Sequence, residues 1–99
     1  MADVSRSSGV LGASAIVSRT QCRLKSIHAN IVIAGHDAVT IKVFDGTDNT
    51  GTELARIHNT TNGQYTIEYD MLGVLATGGL FPEVTEAGSS TAHVSVEFD

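Results

Sequence analysis

Apolar and polar residues alternate along most of this chain with a period of two. That period is typical of β-strands that bury one face and expose the other. In the clearest example Val39, Ile41 and Val43 face one way, and the residues between them face the other way. Three runs show the alternation best: Ala38–Asp45, Gln64–Asp70 and Ala92–Asp99. Because no stretch carries the 3.6-residue apolar stripe of a helix, the pattern predicts an all-β protein.

A fourth, longer strand is predicted over Gln21–Ala34. Its odd-numbered residues from Ile27 to Ile33 are apolar and share a face, whereas Leu24 lies on the opposite parity. One additional residue at Lys25 or Ser26, a β-bulge, would return Leu24 to the buried face. We therefore expect a bulge early in this strand.

Weaker strands are predicted between these runs, at Thr52–His58, Leu72–Ala76 and Leu80–Thr85. Pro82 has no N–H to donate to a sheet, so its strand is expected at an edge or a bulge. Turn-forming residues separate the strands, and Asp45–Gly51 is predicted to be a hairpin loop. Seven to eight short antiparallel strands at roughly ten-residue spacing indicate a single β-sandwich or jelly-roll-like domain.

The first fourteen residues have a different composition, rich in Ser, Gly and Ala and poor in large apolar side chains. Such a segment buries little core by itself. It is predicted to be a flexible N-terminal arm, either disordered or ordered by a partner. The expected organisation is an arm at 1–14 followed by a β-sandwich domain at 15–99.

Length and charge exclude several classes of protein. A chain of 99 residues allows one domain, which is marginally stable alone and would gain from an oligomer interface. The net charge of −5 disfavours nucleic acid as a partner. No apolar run reaches the about 20 residues that cross a bilayer, and the N-terminus lacks the pattern of a signal peptide. We expect a soluble protein made in the cytoplasm, with neither nucleic-acid nor membrane partner.

Four residues are candidates for contact with a partner. Arg19, Arg23 and Lys25 form a local basic group and would share a face if all three lay on one strand. They are either a solvated strand face or a contact for an acidic surface. Phe44 lies on the outward parity of its strand, so it either forms a protein interface or is covered by the N-terminal arm.

Catalytic and metal-binding patterns are missing from the sequence. The histidines His28, His36, His58 and His93 have no zinc-pair spacing, and the single Cys22 is expected to pack as a small apolar group. The Asp45–Gly51 loop holds acids three apart rather than two, which departs from a calcium loop and is explained by turn formation. No Gly-x-Ser-x-Gly elbow or phosphate loop is present. The sequence predicts a non-enzymatic protein without cofactors or metals.

The strand and turn sequence is similar to that of small virion proteins of tailed bacteriophages, over roughly residues 24 to 98. The resemblance rests on three segments: Ile41-Lys42-Val43-Phe44-Asp45-Gly46-Thr47, Gly51-Thr52-Glu53-Leu54-Ala55 and Val94-Ser95-Val96-Glu97-Phe98. It implies a structural protein that decorates or cements the exterior of a capsid, binding the major capsid protein and forming a homo-oligomer, typically a trimer. It implies no catalytic residues.

Under this interpretation the arm, Ala2–Ser14, is expected to anchor the protein, and Arg19, Arg23 and Lys25 to meet an acidic shell surface. The alternative is an adhesive or carbohydrate-binding β-sandwich, for example a fibre-associated module. That alternative needs a groove lined with aromatic side chains, and the five aromatic residues are not grouped along the sequence.

Overall fold

The structure, a computed structural model, describes residues 6–99 as two stacked antiparallel β-sheets. The strands within this range are β1 (Arg6–Ser7), β2 (Cys22–Ile33), β3 (Val39–Asp45), β4 (Thr52–Asn59), β5 (Gly63–Ala76), β6 (Leu80–Glu86) and β7 (Thr91–Phe98). Sheet A has the order β1-β7-β2-β5, and sheet B has the order β4-β3-β6. The predicted all-β sandwich is confirmed. Residues 1–5 of the predicted arm lie outside the described residues.

The hydrophobic core fills the space between the inner faces of the two sheets. Leu24 and Ile31 of sheet A and Ile41 and Leu80 of sheet B are each at most 1% exposed and belong to one buried cluster. The same parity positions along β2, β3 and β7 supply most of the other core side chains. The two-residue alternation of the sequence therefore sets which face of each sheet is buried.

The predicted bulge is confirmed. Against β7, Leu24 pairs with Phe98 and Ser26 pairs with the adjacent Glu97, so Lys25 is the additional residue on β2 and shifts the register. This shift puts Leu24 in the core, where it is fully buried. On the side of β5, the bulge of β2 lies opposite an irregular stretch of β5. Both β2 and β5 therefore bend at the same level.

The two strands predicted at Gln64–Asp70 and Leu72–Ala76 are a single strand of 14 residues, β5. Leu72 and Gly73 adopt positive φ angles of 53° and 76° in the middle of it. The prediction of two strands was wrong because this bend interrupts the alternation of the sequence without ending the pairing with β2.

Sheet B is built around the predicted hairpin. Strands β3 and β4 pair antiparallel across the Asp45–Gly51 loop, and β6 pairs with the other edge of β3. Pro82 lies on β6, which is an outer strand of sheet B, as predicted. Its missing N–H therefore costs the sheet no internal hydrogen bond.

A segment that we call the strap, residues 6–18, connects the two sheets at one side of the sandwich. On sheet A, Leu11 exchanges backbone hydrogen bonds with Val94 at 2.7 and 2.9 Å. On sheet B, the backbone N–H of Val17 donates to the carbonyl of Leu80 at 2.9 Å. The part of the predicted arm that the structure describes is thus hydrogen bonded to β7 and β6.

Candidate functional site: the open sheet edge

The two sides of the sandwich differ in how their strand edges are covered. On one side β1 pairs with β7, and the strap then crosses to β6. On the opposite side the outer strands are β5 of sheet A and β4 of sheet B. Within residues 6–99, β5 pairs only with β2 and β4 only with β3. An uncovered edge presents backbone N–H and C=O groups that can pair with a strand of another chain.

The edge of β5 is long and regular over its first half. Residues Gly63–Asp70 pair without interruption with Ile33–Ser26 of β2. Ordinary strands have five or six residues, so this is an extended edge. Within the described part of the chain we regard the β5 edge as the candidate functional site, because it is the longest uncovered strand edge.

The side chains of the β5 edge alternate between an apolar inner face and a polar outer face. Tyr65, Ile67 and Tyr69 pair with core residues of β2, so their side chains lie on the inner face of sheet A. They are nevertheless only partly buried, and Tyr69 is 39% exposed. Thr66 and Glu68 lie on the outer face. Apolar area therefore remains open to solvent along the inner side of this edge.

The bend in β5 exposes further apolar side chains. Leu72 is 87% exposed at the bend, and Leu75 after it is 48% exposed. Asp70 fixes the bend because its Oδ1 accepts the backbone N–H of Leu72 at 3.0 Å. Exposed apolar side chains therefore also occur past the regular ladder, beside the start of β2.

The predicted basic group is divided by the fold. Arg19 lies before β2, whereas Arg23 and Lys25 lie on it, so the three side chains do not share one strand. Arg23 and Lys25 line a cavity of about 270 Å³ beside the β5 bend, together with Asp70 and Asp99. Lys25 Nζ lies 3.4 Å from Asp99 Oδ2. Because two carboxylates face these two cations, the cavity is not a strongly positive site.

Phe44, which the sequence places on the outer face, is buried. It is 7% exposed and lies outside the central core cluster, between Phe81 of β6 and Glu53 of β4 in the sheet register. The ladder between β3 and β4 shifts register at Val43 and Phe44. Sequence parity alone does not show this burial, and of the two alternatives for Phe44 a covered side chain agrees with the 7% exposure.

The outer face of sheet A carries a polar cluster that sequence reasoning did not assemble. His28 Nε2 lies 3.3 Å from Glu97 Oε1 of β7, and His28 Nδ1 lies 3.5 Å from Glu68 Oε1 of β5. Ser26 Oγ is 3.2 Å from His28 Nε2. These contacts connect the three long strands of the sheet. Glu68, which lies on the uncovered strand β5, is therefore held next to His28 on the outer face of sheet A.

The acidic residues of the Asp45–Gly51 loop bind the protein's own backbone. Asp45 accepts the N–H of Gly78 at 2.7 Å and the N–H of Thr77 at 3.0 Å, and these bonds lower the pKa of its carboxyl. Asp48 Oδ1 accepts the N–H of Thr50 at 2.9 Å. The acidic residues of this loop are therefore explained by the hydrogen bonds that they accept from the backbone.

Within residues 6–99, no three or more His, Cys, Asp or Glu side chains are grouped so that they could hold a metal ion. Over the same range no helix has the length and apolar character needed to span a membrane.

Comparisons with known proteins find similarity in backbone structure and none in sequence family. No protein-family model matches the sequence, and no curated protein matches it. Among solved structures, a protein of the Bacillus endospore appendages, which are disulfide-linked pili, is 15% identical with a TM-score of 0.47 over 96% of this chain and 85% of that chain. The coat protein of tobacco streak virus is 11% identical with a TM-score of 0.47 over 97% of this chain and 85% of that one.

Proposed function

We propose that this chain is a non-enzymatic structural protein that assembles with copies of itself and decorates the exterior of a protein shell such as a phage capsid. The observation that supports it is the unequal treatment of the two sandwich sides. The strap covers the side of β6 and β7, while the edge of β5 stays uncovered with apolar side chains along it. Monomeric β-proteins usually protect such edges, and assembling ones use them.

The proposed shell contacts come from the N-terminal arm, Ala2–Ser14, and from the basic residues Arg19, Arg23 and Lys25. The described part of the arm lies on the surface, where the apolar Val10 is 75% exposed. Arg19 and Arg23 are exposed as well. These groups fit a partner with acidic and apolar surface, which is the role that a major capsid protein plays in this proposal. Phe44 is too buried to contribute unless the outer face of sheet B rearranges.

The mechanism of stabilisation would be mass action. A protein that binds the assembled shell but not its free subunits stabilises the shell by its binding free energy. Many copies with modest interfaces add up, because each shell offers the same contact repeatedly.

The alternative function, carbohydrate binding or adhesion, is less well supported. A sugar site needs exposed aromatic faces grouped in a groove. Tyr65 and Tyr69 lie on the inner side of β5, and Phe44 is buried. No pair of these rings forms an outer platform.

The first experiment is the solution mass of the purified protein by light scattering behind size exclusion. A defined multiple of 10.4 kDa at micromolar concentration is expected. A monomer at every concentration would contradict self-assembly.

The second experiment tests the decoration role. The neighbouring genes would identify a major capsid protein, and its empty expanded shells would be mixed with this chain and sedimented. We expect the chain to sediment with the shells and to raise the temperature at which they disrupt. A chain that stays in the supernatant would contradict capsid decoration, even if it forms a defined homo-oligomer.

A further inference from the structure

We infer that the uncovered edge of β5 pairs with the same edge of a second copy, antiparallel and about a two-fold axis at Ile67. This inference rests on the proposed function, because it takes self-assembly as the role of the edge. It adds the surface, the partner segment and the register.

The length of the regular edge limits where the axis can lie. Gly63, with a φ of 144°, opens the strand, and the bend at Leu72 and Gly73 ends the regular part. The uninterrupted ladder with side chains on both faces therefore runs over Gln64–Asp70. The middle residue of these seven is Ile67. A two-fold axis there brings the whole regular edge into the pairing.

The acidic residues Glu68 and Asp70 of the outer face exclude a two-fold axis on the C-terminal side of Ile67. Like charges directly opposite each other destabilise an antiparallel pair. An axis at Glu68 would place this carboxylate against its own copy, and an axis at Tyr69 would place Glu68 against Asp70. With the axis at Ile67, Glu68 faces Thr66 and Asp70 faces Gln64. Each carboxylate then meets an uncharged side chain, and the amide of Gln64 can donate a hydrogen bond to Asp70.

The side chains of the inner face favour a two-fold axis at Ile67 over an axis at Thr66. About Ile67, the two copies of Ile67 face each other, and Tyr65 faces Tyr69 twice. About Thr66, Tyr65 would face Ile67, and Tyr69 would face Gly63, which has no side chain. Cross-strand aromatic pairs stabilise a sheet, whereas a glycine offers nothing to pack. The register at Ile67 thus covers the exposed part of Tyr69 with another ring.

The resulting assembly is an isologous dimer in which two four-stranded sheets form one continuous sheet. An assembly in which every copy uses this two-fold contact has an even number of copies. The trimer that the resemblance implies would therefore need a different surface. Since seven residues pair on each side, the interface is small, and micromolar affinity is expected.

Cysteine pairing tests the register directly. Thr66→Cys and Glu68→Cys would be purified separately, mixed and oxidised. We expect a disulfide-linked dimer only in the mixture, because residues 66 and 68 face each other across the axis, whereas two copies of residue 66 lie diagonally, near the limit of what a disulfide can span. The unmodified protein is the control for Cys22, and Arg56→Cys on β4 is the control for random collision.

Each result decides a different point. A cross-link in Thr66→Cys alone would place the axis at Thr66 and overturn the register. A dimer by light scattering without any of these cross-links would show that another surface associates, so the β5 inference would be wrong while self-assembly stands. A monomer without cross-links would contradict both, and the edge would be left for a strand of a different protein.

A charge pair at one position tests the interface without touching the core. Thr66→Glu places two new carboxylates against Glu68 of the other copy, while Thr66→Lys places two cations there. Both variants lose the same hydrogen bond to Asn30 Oδ1 at 3.1 Å. We expect the dimer dissociation constant to rise roughly two- to thirtyfold in the first and to fall in the second. Equal constants in the two variants would overturn the inference.

Discussion

The hydroxyl oxygen of Ser14 accepts a hydrogen bond from the backbone N–H of Val84 at 2.9 Å. Val84 lies on β6 and also pairs in register with Ile41 of β3. The strap thus binds sheet B through a side chain near the point where it crosses from β7.

Replacing Ser14 with Ala removes this acceptor. We expect Ser14→Ala to lower the free energy of unfolding by about 0.5–1 kcal/mol, the usual net value of one hydrogen bond. Urea unfolding followed by circular dichroism measures it. Val10→Ala is the control, since Val10 is in the same strap and 75% exposed. If the two variants lose the same stability, the Ser14 bond does not hold the strap.

The close approach of Gly79 to the strap gives a second prediction. Gly79 has a φ of 131°, and a β-carbon there would collide with the backbone oxygen of Ser18. Gly46 has a similar φ of 136°, but a β-carbon there would meet nothing within 4 Å. We expect Gly46→Ala to cost about 1 kcal/mol through backbone strain alone, and Gly79→Ala at least about 2 kcal/mol.

Thermal unfolding measures the melting temperatures of both variants. Gly46→Ala reports the cost of backbone strain alone, and Gly79→Ala reports the cost of strain together with the steric clash. Equal melting temperatures would mean that the strap moves away from Gly79 at little cost. The contact between Ser18 and Gly79 would then not be a tight one.

Much of the fold could be predicted from the sequence because one face of β2, β3 and β7 is buried. When alternate side chains must enter the core, as Ile27 and Ile31 do, the alternation itself is visible along the chain. The bulge was predictable for the same reason, because Leu24 is fully buried only if the register shifts.

The candidate site could not be predicted in this way. Whether an edge is covered depends on which strands become neighbours, and that is a property of the two sheets together. The strap joins residues 70 positions apart, such as Ser14 and Val84. Phe44 shows the same limit, since its parity points outward but its surroundings bury it. The uncovered β5 edge appears only after both sheets are assembled.

Cys22 gives a third prediction because burial raises the pKa of its thiol. The residue is 7% exposed, so both access and the thiolate fraction are low in the folded protein. We expect its alkylation at neutral pH to be on the order of 100-fold slower than in the urea-unfolded chain. Thr20→Cys in a Cys22→Ala background is the control, since position 20 is exposed. Similar rates at the two positions would contradict the buried placement.

Asp45 gives the last prediction, a dependence of stability on pH. The backbone N–H of Gly78 donates to Asp45 Oδ1 at 2.7 Å, and the N–H and hydroxyl of Thr77 donate to Oδ2 at 3.0 and 3.1 Å. These bonds favour the ionised carboxyl, so its pKa in the folded protein lies below the ordinary value of 3.8. The stabilisation is therefore complete above that value. It is lost as the pH falls through the lowered pKa.

The Asp45→Asn variant should lack this dependence. We expect the difference in unfolding free energy between the natural protein and Asp45→Asn to be constant from neutral pH to about pH 5 and to shrink as the pH falls below about 4. Urea unfolding at a series of pH values measures the difference, and the carboxyl chemical shift of Asp45 gives its pKa directly. A difference that stays constant down to about pH 2 would show that the charge of the carboxylate does not stabilise the turn between β5 and β6.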